Sequence, residues 1–182
     1  MLPILSSATF YLQGNVMNAK EYVELNEAEQ KLAQFLAKAR HAKARNNNIE
    51  NRRLGPQSDW ETDLEGMAAE IAACKLLNVY PDLQTESIPI YDMVSRSGWT
   101  IDVKATKYKT GKLLAVKGKS ENRSDFYMLM IGEFPKYRCG GLASAERLLN
   151  DKTLMDLGRG VGHAMEQDEL QSLEEWKEMF DQ

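Results

Sequence analysis

The chain has 182 residues, 43% hydrophobic and 27% charged, with a net charge of −4, a composition that suits one domain with a real core and leaves little room for two. No apolar run approaches the roughly 18 residues needed to cross a bilayer, so a membrane-spanning role is not expected. Cys74 and Cys139 are the only cysteines, which excludes a four-cysteine zinc or iron–sulfur site built from this chain alone and points to a reducing, cytoplasmic setting.

Residues 1–23 are mildly apolar but lack the basic start and small-residue cleavage site of a signal peptide. They read as a leader or an extra strand, or as sequence upstream of a start at Met17. From residue 24 to 182 a single domain is expected. Leu25, Ala28, Leu32, Phe35, Leu36, Ala39 and Ala42 recur at helical spacing and predict a first helix from Asn26 to about Arg45. Asn26 and Glu29 have the offset of a capping box. A second helix begins near Ser58 or Asp59, with Glu61 completing another box, and stops before Pro81. Trp60, Leu64, Met67, Ile71 and Cys74 mark its buried face. Its centre, from Gly66 to Ala73, is rich in small residues, which permits close packing and leaves Glu70 at the edge of a tight interface.

The middle of the chain reads as strands at Glu86–Val94, Trp99–Ala105, Lys112–Lys117 and Phe126–Ile131, with a short fifth at Tyr137–Leu142 leading into a helix to Leu149. The fourth is almost wholly apolar, as expected of a strand covered on both faces. An acidic amphipathic helix is expected from about Gln167. Helix, helix, sheet and short helices together predict an α/β domain with a central mixed sheet of four to five strands flanked by helices.

Charge is segregated along this chain. Six basic residues (Lys38, Arg40, Lys43, Arg45, Arg52, Arg53) stand against Glu50 between Lys38 and Arg53, and seven against Glu121 between Lys104 and Arg123. The stretch from Glu166 to Asp181 carries seven acids and one lysine. Such a distribution gives one face a positive potential while the average stays acidic. His41 and His163 are too few and isolated to suggest a histidine metal site.

The chemistry concentrates on the second strand. Alternation puts Thr100, Asp102 and Lys104 on one face, and Ile101 and Val103 on the other. A carboxylate and an ammonium on a covered face need each other or a metal. If Gly98 takes the left-handed position of a three-residue hairpin, Ser95 pairs with Trp99 and Asp92 faces Asp102. Two facing carboxylates repel unless a cation sits between them, and a hard divalent ion such as Mg²⁺ or Mn²⁺ fits oxygen ligands. Glu70 is a candidate third carboxylate above the same face.

Asp92, nine residues, then Asp102-Val103-Lys104 resembles the D-Xn-(D/E)-X-K signature of the PD-(D/E)XK nuclease superfamily. The helix Gly66-Met67-Ala68-Ala69-Glu70-Ile71-Ala72-Ala73 resembles that family's G-x-x-x-E-x-A helix, and Ser124–Ile131 followed by Gly140-Gly141-Leu142 resembles later core strands of small phage-encoded members. The resemblance spans roughly residues 24–150. It implies a restriction-endonuclease-like core, metal held by Asp92, Asp102 and Glu70, and Lys104 as the catalytic lysine. It departs from the signature in having Tyr91 before the first acid. The Pro81-Asp82 pair reads as loop and is set aside as too early to reach the hairpin. The expected activity is Mg²⁺-dependent hydrolysis of DNA phosphodiesters. Arg40, Lys43, Arg45, Arg52, Arg53, Lys107 and Lys109 are the expected phosphate contacts. A junction resolvase acting as a homodimer and a catalytically silent nucleic-acid- or protein-binding module are the alternatives.

Overall fold

The computed structural model describes residues 22–46, 57–85, 91–116, 124–158 and 160–181. Arg52, Arg53, most of the leader and the first half of the strand expected at Glu86–Val94 lie outside these described residues. The order of elements is β1 (Val23–Glu24), α1 (Glu27–Asn46), α2 (Asp59–Leu77), β2 (Met93–Val94), β3 (Thr100–Thr106), β4 (Leu113–Val116), β5 (Phe126–Glu133), β6 (Lys136–Ser144), α3 (Ala145–Leu148), β7 (Leu154–Asp156), β8 (Val161–Met165) and α4 (Leu173–Asp181).

Both long helices start where their caps are written. Asn26 and Glu29 exchange backbone–side-chain hydrogen bonds of 2.9 and 2.7 Å, and Ser58 and Glu61 form the second reciprocal box. Each box satisfies amide donors that the first helical turn leaves without partners. α2 ends at Asn78, which adopts the left-handed conformation at φ 51°.

The main sheet is mixed, with strand order β1-β6-β5-β3-β2. β3 and β5 run parallel, and the other neighbours are antiparallel. β5 is its centre, and Phe126 to Ile131 are all buried. Met128 and Met130 point to one core, shared with Ile101, Val103 and the small-residue face of α2. Tyr127, Leu129 and Ile131 point to a second core with Leu113, Ala115 and Met165. A β-bulge between Leu129 and Met130 leaves Gly140 as the extra residue of β6. A Cβ at Gly140 would come within 2.6 Å of Ile131, so only glycine fits there without displacement.

Two expectations are corrected here. β4, read as part of the central sheet, belongs instead to a separate three-stranded antiparallel sheet, β4-β8-β7, which covers the second core. The buried stripe of α1 runs through Ala33, Leu36 and Ala37, whereas Phe35 is 67% exposed and Ala28 and Ala42 are exposed. Phe35 lies off the line of α1 that Ala33, Leu36 and Ala37 bury, so its ring stays on the solvent side of the helix. No helix among the described residues is long and apolar enough to cross a membrane.

Candidate active site

The hairpin carrying the first acid forms through Gly98, at φ +90°. The Ser95 N–H donates to the Trp99 carbonyl at 2.8 Å, and the ladder continues as Val94↔Thr100 and Met93↔Ile101. It then stops. The Asp92 N–H also ends on the Ile101 carbonyl, at 3.0 Å, so Asp92 does not continue the one-for-one ladder opposite Asp102. Its carboxylate turns inward, where Oδ2 accepts the Val103 N–H at 2.6 Å. This departure frees the edge of β3 at the point where the acids gather.

Asp102 and Lys104 lie two residues apart on one face of β3 and form an ion pair through Asp102 Oδ1. The Asp102 side chain is 14% exposed and that of Lys104 36%. Ile101 and Val103, on the other face, pack in the core beneath α2. Glu70 is carried by α2, and its field acts on Lys104 while the fields of Asp92 and Asp102 act on it. It meets the group through Asp92. Glu70 and Asp92 line one cavity of about 290 Å³ between α1 and α2, together with Arg40, Lys43, Asp63 and Met67.

The electrostatics bind the four residues into one set. Burial first, then the fields of Asp92 and Asp102, push Glu70 up to about 8 against the pull of Arg40. Burial and Asp102 push Asp92 up to about 6, with Lys104, the Val103 N–H and Arg40 opposing. Burial disfavours charge on Lys104, but Asp102, Asp92 and Glu70 outweigh it and hold the ammonium above the usual lysine range. Cys74, one turn beyond Glu70, is pushed up to about 12 by burial and by Glu70, Asp92 and Asp82, which leaves it an unreactive thiol.

The basic residues divide. Arg40 turns into the site: its Nη1 is 3.0 Å from Glu70 Oε2, and its Nη2 reaches the Asp82 carbonyl at 3.3 Å and carboxylate at 3.7 Å. Asp82 thus touches the set through Arg40. Arg45 pairs with Asp59 at 2.8 Å and ties the end of α1 to the start of α2. Lys43 lines the cavity. Lys107, above the Tyr108 ring at 5.9 Å, and Lys109 are exposed just past β3. Sequence reasoning missed Asp63, which lines the cavity and contacts His41 Nδ1 at 2.5 Å. Its signal was the seven-residue interval to Glu70, two turns along one helix face.

Among the described residues, no three His, Cys, Asp or Glu side chains are drawn into a ready ligand group. The chemistry of the donor set nevertheless fits a hard divalent cation. Glu70 and Asp92 are held toward their protonated forms by burial and neighbouring carboxylates, and a cation among them would relieve that conflict. Comparisons with protein-family models, with curated proteins and with solved structures returned no match.

Proposed function

We propose that this chain is a Mg²⁺- or Mn²⁺-dependent nuclease that hydrolyses DNA phosphodiester bonds, built on a restriction-endonuclease-like core. The observation that carries this reading is the coupling of Glu70, Asp92, Asp102 and Lys104 into one electrostatic set, drawn from a helix, a bend and a strand. Carboxylates Asp92, Asp102 and Glu70 would hold the cation, whose chemistry is to polarise the phosphoryl oxygen and lower the pKa of water. Lys104 stays protonated beside Asp102, so it acts as a donor rather than a base. Its ammonium orients the attacking water or offsets charge that gathers on the five-coordinate phosphate. The bond broken is that between phosphorus and the leaving sugar oxygen, which takes up a proton.

The exposed Lys107 and Lys109 extend the strand's cationic edge and suit backbone phosphates. Arg40 contributes differently. Its pairing with Glu70 and Asp82 makes it a group that positions a carboxylate, released toward phosphate only if Glu70 turns to a cation.

A second reading has one observation in its favour. Arg40 and Lys104 already compensate two of the three carboxylates, as in a nuclease-fold module that binds without cutting. Incubation with linear, circular and branched DNA in Mg²⁺, Mn²⁺ or chelator separates the two. Cleavage that needs the cation supports the enzyme, and binding with no cleavage of any substrate supports the module. Preference for branched DNA would make the enzyme a junction resolvase, and sedimentation of the DNA complex would show whether it acts as a homodimer.

A further inference from the structure

A second recess opens where β3 and β5 begin and β6 ends. It has a volume of about 380 Å³, and its lining includes Trp99, Thr100, Ser124, Asp125, Ser144 and Glu146. Ser124 is only 4% exposed, and among the described residues its hydroxyl has no hydrogen-bond partner. A buried polar atom without a partner costs free energy, so one that lines a recess marks a place where a ligand completes the bond.

The chemistry of the wall narrows the ligand. Among the described residues that line the recess there is no lysine or arginine, so the described wall offers no cation to a phosphate. The wall consists of acceptors and hydroxyls beside an aromatic face. The Asp125 carboxylate is fixed by the Thr100 N–H at 2.9 Å and the Thr100 hydroxyl at 2.7 Å, both on Oδ2. Glu146 stands at the start of α3 with its carboxylate exposed. Trp99 is 38% exposed and held edge-on against Phe126, with ring centroids 5.6 Å apart. A flat ligand with adjacent N–H donors matches such a wall: the ring stacks on indole, and the donors meet carboxylate. Of the nucleobases, guanine alone presents two neighbouring donors, N1–H and the N2 amine, to a single carboxylate.

We propose that this recess is a nucleobase subsite with a preference for guanine, in which Trp99 stacks on the base, Glu146 accepts its donor edge and Ser124 supplies a further hydrogen bond. Thr100 lies on the same face of β3 as Asp102 and two residues before it, about 6.7 Å along the strand. A base held here therefore belongs to a nucleotide beside the proposed cleavage site. That consequence rests on the nuclease reading, whereas the subsite itself is testable without it.

The test uses deoxynucleosides, which carry no phosphate, titrated into the full chain without divalent cation and followed by backbone amide NMR shifts. Deoxyguanosine is expected to shift the amides around Thr100, Asp125 and Ala145 and to bind at least tenfold more tightly than deoxyadenosine or deoxycytidine. Deoxyinosine, which lacks the N2 amine, falls between. Glu146→Gln, at an exposed position that leaves the fold intact, is expected to lose at least fivefold for deoxyguanosine and little for deoxyadenosine. Trp99→Ala weakens all of them. Equal binding of every nucleoside, no binding of any, or shifts at these amides from Mg²⁺ alone would each overturn the guanine subsite. Cleavage activity is not read in this experiment, so a protein that cuts DNA but fails it refutes only the subsite.

Discussion

Arg40 on α1 and Glu70 on α2 meet at 3.0 Å, with both side chains about one-fifth exposed, and the same guanidinium donates to the Asp82 and Gln84 carbonyls beyond α2. One cation thus joins two helices and the following loop while it restrains the carboxylate that faces Asp92. Above about pH 8, where Glu70 is ionised, removing this cation leaves that carboxylate buried against like charge. Arg40→Gln is expected to destabilise the protein by roughly 1.5–3 kcal/mol, the range for a hydrogen bond to a charged group. Urea unfolding checks this. Glu70→Gln added to Arg40→Gln should recover part of the loss, because no buried charge then remains uncompensated.

The raised carboxyls give stability a pH dependence of definite sign. Glu70 is shifted from 4.5 to about 8 and Asp92 from 3.8 to about 6, so the folded state binds more protons than the unfolded one across that interval. The contribution of these groups is full below the ordinary carboxylate range and is lost as pH rises through the raised values. Urea midpoints of metal-free protein are expected to fall between about pH 5 and pH 8, with a shallower fall in Glu70→Gln. Added Mg²⁺ or Mn²⁺ should restore stability most at the alkaline end. Equal slopes in wild type and Glu70→Gln would contradict this assignment.

Glu65 makes a separate demand on the fold. One carboxylate accepts the Phe134 N–H at 3.1 Å and the Tyr137 hydroxyl at 2.5 Å, so that α2 is fastened to the turn between β5 and β6. Burial and Glu65 hold the Tyr137 phenol far above its ordinary value and keep it a neutral donor. Glu65→Ala strands both donors and is expected to cost about 2–4 kcal/mol, against about 1 kcal/mol for Tyr137→Phe, which leaves the Phe134 bond in place. Thermal and urea unfolding of the two variants measure the difference.

The site was legible in the sequence to the extent that it depends on local rules. Strand alternation places Asp102 beside Lys104, Gly98 forms the hairpin, and Ser58 with Glu61 sets the start of the helix that carries Glu70. What escaped depends on partners distant in sequence. Arg40 looks like any basic residue of a solvated helix until Glu70, thirty positions on, and Asp82 are brought to it. The one-for-one ladder does not continue to Asp92 and Asp102: the Asp92 N–H meets the Ile101 carbonyl and its carboxylate takes the Val103 N–H, while the field of Asp102 still acts on it. β7 and β8 are short and interrupted by Gly158, Gly160 and Gly162, so nothing local marks them as strands or signals that β4 would pair with β8 and not with the central sheet.

Lys107 and Lys109 are expected to hold phosphates rather than chemistry. Replacing both with alanine should weaken DNA binding alike for all sequences and lower the slope of log K against log salt by about 1 for each phosphate that is no longer neutralised. Fluorescence anisotropy of a labelled duplex at several salt concentrations gives that slope. An unchanged slope would move the DNA path elsewhere on the surface.

The central claim is tested most directly by single-turnover cleavage of end-labelled DNA in Mn²⁺, comparing wild type with Asp102→Asn and Lys104→Met. Both substitutions remove charge while keeping shape, and each is expected to lower the rate by at least a hundredfold, with DNA binding retained. Cleavage at the same rate by all three proteins would contradict the assignment of Asp102 and Lys104 to catalysis.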